Sequence, residues 1–368
     1  LSHPIQYQAP LLRRIAKEEE IDLRVIFENN PTGSAYYDSG FKRQVEWDVP
    51  LTEGYENISL SDTELLSEIK NCDMLWLHGW GSQIMRKALV LARYLGTPVL
   101  MRAENCDLAM PDGTGPRGWL KRLYIGFIFR HCQAFLAIGT ENKNYYLRRS
   151  IANNRIFLMP YAVDNNSFAI KAKAAHPRRN ELKAELGIAP GRKVILFAGK
   201  FMPRKHPDIL IHAVNSVDWG EGERPALIFV GGGDMEERLR ALAPEAAFPG
   251  FKNQSELPSL YDITDVMVLP SEREPWGLAI NEAMACGTAV VVSDQVGCAA
   301  DLLNDGCGRV FPFGDVQALA DSLVHCLKHS EKMGEAASTM IKQWGFAEDI
   351  EGLKQAINYL RPCNVRHS

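Results

Sequence analysis

Short apolar runs rich in β-branched residues alternate with longer segments of helical character along the whole chain. In the first half, Leu23–Phe27, Met74–Leu77, Val99–Met101, Phe135–Ile138 and Ile156–Met159 read as strands. The second half repeats the pattern with Val194–Phe197, Leu227–Val230, Val266–Leu269 and Ala289–Val292. Strands this short and this uniformly apolar are covered on both faces, and helix-length connections between them imply parallel sheets. Ser61-Asp62-Thr63-Glu64 predicts a capping-box start for a helix running toward Asn71. No period emerges between Phe27 and Ser61, a stretch rich in Tyr, Trp and Gly. A loop of that length in a compact domain is usually functional.

The pattern is interrupted once. From Asn165 to Arg192 the chain turns polar and rich in Ala, Lys and Arg, with Pro177 and Pro190-Gly191 as punctuation. That composition suits a linker and a helix ahead of a fresh strand. The expected organisation is a first α/β domain over 1–164, a second over 165–343, and a terminal segment 344–368 with helical periodicity over Ile350–Leu360. Ser2-His3-Pro4 reads as the loop after a strand, whereas a doubly wound domain usually opens on a buried one. The first strand is therefore expected to be missing, with about half a dozen residues, one strand length, trimmed ahead of Leu1.

Composition narrows the function. The chain has 368 residues, 46% of them hydrophobic, which suffices for about two cores. A net charge of −4 gives no nucleic-acid signature. The eight cysteines form no C-x-x-C pair, so buried free thiols in a reducing compartment are expected. No secretory signal or long apolar run appears, and the expectation is a cytoplasmic protein. Arg117–Arg130 mixes Arg and Lys with Trp, Tyr and Phe. It reads either as a helix packed on the sheet or as peripheral contact with anionic lipid at the inner membrane face.

The chemistry concentrates in Leu269–Val292. A buried strand leads into a loop carrying Glu274, then into a helix opened by Gly277-Leu278 and carrying Glu282; Gly287 ends it and a second buried strand follows. Ligands of open α/β sheets bind beyond the carboxyl ends of the strands. A helix start there offers free N–H groups and a positive dipole end to a phosphate. Glu282 is placed to accept hydrogen bonds from a ribose diol, and Glu274 could hold hydroxyls of a second ring. A phosphate between two polyols is a nucleotide sugar. After strand Val194–Phe197, Gly199, Lys200 and Lys205 place two cations in one loop. Fixed cations stabilise a departing nucleoside diphosphate more as its charge grows. Trp276 is expected to wall the sugar. Val230–Asp234 breaks the dinucleotide G-x-G-x-x-G spacing at Glu236 and reads as a tight turn near a nucleotide. Asp262 and Asp265 read as a helix end leading into a strand rather than a metal site; no metal is expected, and no cofactor, the nucleotide sugar being a substrate.

The run E-P-W-G-L-A-I-N-E, flanked by V-M-V-L-P-S and A-C-G-T-A-V-V-V, resembles the E-x7-E signature of the retaining glycosyltransferases of family 4. The resemblance implies the GT-B fold: two Rossmann-like doubly wound domains facing across a cleft, with the final helix crossing back to the first domain. It implies a retaining, metal-independent transfer of a sugar from a nucleotide diphosphate sugar to a hydroxyl. The acceptor would be a glycan, a lipid-linked or a small molecule, in bacterial polysaccharide or glycoconjugate synthesis. The family carries a Gly-Arg pair here; Lys200 stands in place of that Arg, and Lys205 matches the family Lys five residues on. Phe251-Lys252 falls near the nucleobase by the same resemblance. His3-Pro4-Ile5-Gln6-Tyr7-Gln8-Ala9-Pro10 resembles the amino-terminal pattern of one bacterial branch. With the Tyr36–Tyr55 loop, including Asp38 and Trp47, it is read as acceptor-side surface. His3, Tyr7 and His78 are the candidates there. Many relatives place a His after strand Val99–Met101; this chain has Arg102-Ala103-Glu104, making Arg102 and Glu104 the candidates. A GT-B nucleotide-sugar epimerase and a non-catalytic sugar-nucleotide binding protein remain as alternatives.

Overall fold

The computed structural model describes residues 1–29, 36–220, 224–304 and 306–361. In chain order the strands are β1 (Arg24–Phe27), β2 (Tyr36–Asp38), β3 (Arg43–Val45), β4 (Glu56–Ser59), β5 (Leu75–His78), β6 (Val99–Arg102) and β7 (Ala134–Ala137). They continue with β8 (Ile156–Leu158), β9 (Val194–Lys200), β10 (Ala226–Gly232), β11 (Ala247–Gly250), β12 (Val266–Leu269), β13 (Ala289–Ser293) and β14 (Gly308–Phe311). The described residues of 1–33, 50–161 and 346–368 gather into one compact unit, and those of 34–49 and 162–345 into a second.

In the first unit, β5-β6-β7-β8 form a parallel sheet and β1 pairs in parallel with β4. Fully buried β6 and β7 explain why their sequences read as unbroken apolar runs. One face of the sheet packs Met101 and Phe135 against Phe129, Tyr145 and Tyr146. The other packs Leu100, Leu136 and Met159 against Ile350, Leu353 and Ala356 of the final helix, Phe346–Leu360. A cavity of about 710 Å³ lies along β1 and β5, lined by Val25, Ile26, Leu75 and Leu77. Leu1 extends beside β1: its amino group donates to the Ile26 carbonyl at 2.8 Å, and its carbonyl accepts from the Glu28 N–H at 2.8 Å.

The second unit is a parallel six-stranded sheet in the order β11-β10-β9-β12-β13-β14. The antiparallel hairpin β2–β3 joins this unit. Two expectations are corrected here. The long stretch after Phe27, assigned to the first domain, divides: residues 36–49, with the hairpin, group with the second unit, those from Pro50 on stay with the first, and 30–35 fall outside the described residues. The helix expected from Ser61 begins at Leu65 with no side-chain cap; the Ser61 hydroxyl is engaged by Ser59 and by Asp62, to which it donates at 3.1 Å, instead of capping. Residues Leu60–Asp62 form a separate 3-10 turn capped by Ser59. No disulfide joins the described cysteines; Cys363 lies outside them.

The final helix is tied to its sheet by a buried ion pair. Arg102 Nη2 lies 3.2 Å from Asp349 Oδ1 and also donates to the Met159 and Pro160 carbonyls. Burial pushes the Asp349 carboxyl upward, and the Arg102 guanidinium pulls it part of the way back. Removing one member of such a pair strands the other charge in the core. Asp349→Ala is accordingly expected to lower unfolding stability by about 3–5 kcal/mol in a urea titration, and a loss below about 1 kcal/mol would contradict the assignment.

Candidate active site

Because β9 and β12 are neighbours and parallel, the loops leaving their carboxyl ends meet. They are stitched together at backbone carbonyls: the Glu272 N–H donates to the Arg204 carbonyl at 2.9 Å, and the Arg204 side chain donates from Nη1 to the Arg273 carbonyl at 2.9 Å. Across that seam Lys205 Nζ meets Glu274 Oε2 at 2.6 Å, both side chains mostly shielded from water. Glu274 is itself fixed by backbone bonds with Gln295 and Gly297. The helix Leu278–Ala285 opens at Gly277, whose φ of +103° suits glycine; a Cβ there would sit 2.9 Å from Leu269 Cδ2. A turn into that helix, Glu282 Oε2 accepts the Tyr261 hydroxyl at 2.8 Å. Desolvation raises the Glu282 carboxyl to about 7 despite that bond.

Lys200 at the end of β9 meets Asp38 of the hairpin at 2.9 Å. Asp38 also accepts the Gly40 and Phe41 N–H groups at 2.8 and 3.0 Å. Burial works against its ionised form, yet these three donors together hold the carboxyl below its ordinary value. The Lys200 ammonium lies 4.9 Å from the Phe41 ring centre. Phe251, after β11, is packed edge-on by Phe41 and Trp47 at 5.0 and 5.5 Å. Lys42 pairs with Asp234, and Asn253 donates to the Glu46 carbonyl at 3.0 Å. The hairpin is thus strapped over the loops that follow β9, β10 and β11. The ends of β9 and β10 approach closely: a Cβ on Gly231 would fall 2.0 Å from the carbonyl oxygen of its strand partner Gly199, which accounts for glycine there.

The structure places Lys205 and Glu274 on adjoining loops, Gly277 at the start of the helix that carries Leu278 and Glu282, and Gly199 and Lys200 at the end of β9. It removes two residues from their expected roles. Trp276 is 2% exposed; its indole N–H donates to Asn281 at 2.9 Å and its ring lies 5.5 Å from Trp344, so it offers no face to a sugar. Arg102 is spent on Asp349 and two carbonyls rather than open to an acceptor. The Tyr36–Tyr55 loop is not simply first-domain surface, because Asp38, Phe41 and Trp47 engage second-unit residues. Lys252 pairs with Glu256 at 2.8 Å. Asp262 and Asp265 are taken by His176 and Lys193 at 2.8 and 2.7 Å, and among the described residues no cluster of ligating side chains could hold a metal ion.

In the first unit, Glu104 accepts the Tyr161 hydroxyl, and the Tyr7 and Tyr161 rings meet edge-on at 5.5 Å. His78 Nδ1 lies 3.5 Å from Gln8 Nε2; burial, with the nearby Arg102 charge, holds its imidazole neutral. His3 contacts Ser2 at 3.0 Å, at the end of the chain. Tyr161 and Asp349 were not among the sequence candidates. Asp349 carries a signal in retrospect: an acid inside the apolar stripe of a helix needs a buried partner.

Residues 178–343 match the family described as Glycosyl transferases group 1. This segment covers β9 to β14, with Lys200, Lys205, Glu274 and Glu282. Over 227 residues the chain is 31% identical to the D-inositol 3-phosphate glycosyltransferase of Jonesia denitrificans, covering 58% of this chain and 52% of the relative. It is 31% identical over 194 residues to the 2-deoxystreptamine N-acetyl-D-glucosaminyltransferase of Streptomyces fradiae, covering 48% and 44%. In such matches it spans about half the length of the curated relatives. The Anabaena protein HepE in complex with UDP and glucose superposes with a TM-score of 0.70 at 15% identity, covering 95% of both chains. The sucrose-phosphate synthase of Thermosynechococcus elongatus gives 0.69 at 18%, covering 98% and 95%. The fold is GT-B, built from two Rossmann-like domains with parallel sheets.

The raised carboxyl of Glu282 makes a pH prediction. A carboxyl at about 7 in the folded chain, against an ordinary 4.5, keeps its proton on folding where the unfolded chain has lost it. Its stabilising contribution is full below about pH 4.5 and disappears as pH rises through about 7. Glu282→Gln should flatten that part of the stability–pH curve, read from urea midpoints; an unchanged slope would show that Glu282 titrates normally.

Proposed function

We propose that the protein is a retaining glycosyltransferase that moves a sugar from a nucleoside diphosphate donor to a hydroxyl acceptor. The observation that carries this reading is the Lys205–Glu274 pair at 2.6 Å, set across two loops at the carboxyl ends of adjacent strands beside a helix start. The family match over that segment and the UDP and glucose bound by HepE support it.

In this reading the donor's diphosphate takes Lys200 and Lys205, and the carboxylates of Asp38 and Glu274 hold those cations until it arrives. The N–H groups at Leu278 and Ala279 meet a phosphate oxygen. Glu282, buttressed by Tyr261, accepts from the ribose, and Phe251 and Lys252 lie on the nucleobase side. Glu274 turns to hydroxyls of the transferred sugar. The bond from the anomeric carbon to the phosphate oxygen breaks as the acceptor oxygen bonds to that carbon from the same face. The acceptor's proton passes to the departing phosphate oxygen, so no carboxylate nucleophile is needed. Growing charge on the diphosphate is met by two lysines and a helix dipole in place of a divalent metal. Acceptor recognition falls to the first unit, where Tyr7, His78, Glu104 and Tyr161 supply hydroxyl, imidazole and carboxylate groups. Relatives named for inositol phosphate and aminocyclitol acceptors favour a polyhydroxylated acceptor.

The test is a transfer assay over a panel of UDP-, GDP-, ADP- and dTDP-sugars, with and without a chelator. Turnover on the accepted donor should persist in chelator. Glu274→Gln should lower it on the order of 100-fold while free nucleoside diphosphate binds as before. Equal weakening of free nucleotide and full donor would remove Glu274 from the sugar. Activity abolished by chelator and restored by magnesium or manganese would refute the metal-free mechanism.

A further inference from the structure

The helix Gly115–Arg130 is apolar on two opposite faces. Its inner face, with Ile125, Ile128 and Phe129, is part of the first unit's core. Its outer face carries Trp119, Leu120, Leu123, Tyr124 and Phe127, between 44% and 57% exposed. Positions spaced this way form one stripe at about 100° per residue. Within the stripe the hydrocarbon side chains Leu120, Leu123 and Phe127 lie centrally, while Trp119 and Tyr124 fall on its two margins. A contiguous exposed patch of this kind marks an interaction surface rather than ordinary surface scatter.

Charge selects the occupant. The helix holds Arg117, Lys121, Arg122 and Arg130 and no acidic residue, although the chain as a whole is net negative at −4. Arg117, Arg122 and Arg130 are exposed around the stripe. Lys121 donates to the Pro111 carbonyl at 3.0 Å, pinning the preceding loop against the helix. Hydrocarbon at the centre, ring systems with polar handles at the margins, Arg117 and Arg122 beyond them and Arg130 at the helix end match the layering of an anionic lipid interface. We propose that this helix docks the protein peripherally on an anionic membrane surface, inserting Leu120, Leu123 and Phe127 among the acyl chains while the arginines meet lipid phosphates. Among the described residues no helix is long and apolar enough to cross a membrane, so the contact is interfacial. The inference is independent of the donor chemistry.

Flotation of the full chain with vesicles tests it. Vesicles of equal parts phosphatidylcholine and phosphatidylglycerol should carry the protein up the gradient at physiological salt, and pure phosphatidylcholine should carry far less. Replacing Arg117, Arg122 and Arg130 with Gln should lower the partition coefficient on the order of 100-fold. Leu123→Gln with Phe127→Gln should lower it about tenfold or more, at an unchanged melting temperature because both residues are exposed. If that double variant fails to fold, the arginine variant and a high-salt arm still decide. Equal flotation with both vesicle types, or none with the mixed ones, would overturn the proposal. So would self-association in sedimentation equilibrium that the same leucine and phenylalanine substitutions abolish, since the stripe would then serve a second copy.

Discussion

The candidate site depends on one constraint: β9 and β12 lie side by side in the same parallel sheet. Residues 69 positions apart in sequence thereby become partners, and Lys205 reaches Glu274 at 2.6 Å. An ammonium and a carboxylate each lose hydration in so sheltered a place, so each needs the other or an equivalent charged ligand. Glu274 is held by backbone bonds to 295 and 297, and Lys205 sits at the end of a short 3-10 turn. A polyanion that replaces the carboxylate meets a cation already oriented. The same logic governs Lys200, whose carboxylate partner comes from the hairpin instead of from a neighbouring strand loop.

Much of the strand framework was legible because parallel strands buried on both faces have no polar side to interrupt the run; β7, β12 and β13 are buried at every position. The elements that escaped lack that signature. β4, ENIS, is buried at one position only, and β11, AFPG, is nowhere fully buried and contains a proline. The hairpin β2–β3 is three residues on each side and is specified by what it packs on, not by its own pattern. Side-chain fates followed the same division. The positions of Glu274 and Glu282 were readable because a local strand–loop–helix pattern sets them. Trp276 was misread because Asn281 and Trp344 decide its orientation. Arg102 finds its carboxylate 247 residues away, a separation that no window of sequence reveals.

The two units spend charge differently. The second concentrates paired charges at the carboxyl ends of its strands, where they remain partly reachable by solvent. In the first, Arg102 and Asp349 are sealed in the core and serve cohesion, while the arginines of Gly115–Arg130 stand outside beside exposed apolar side chains. A sheltered ion pair at the loop ends and one behind a packed helix look alike as distances. They differ in what can replace a partner.

The central claim is that Lys205 is a cation reserved for a nucleoside diphosphate. Calorimetric titration with uridine, guanosine, adenosine and thymidine diphosphates tests it on the full chain, comparing the parent with Lys205→Met. The parent should bind one of the four, and the variant should bind it on the order of tenfold or more weakly, as expected for losing a hydrogen bond to a charged group. Parent-like affinity in the variant would contradict the account.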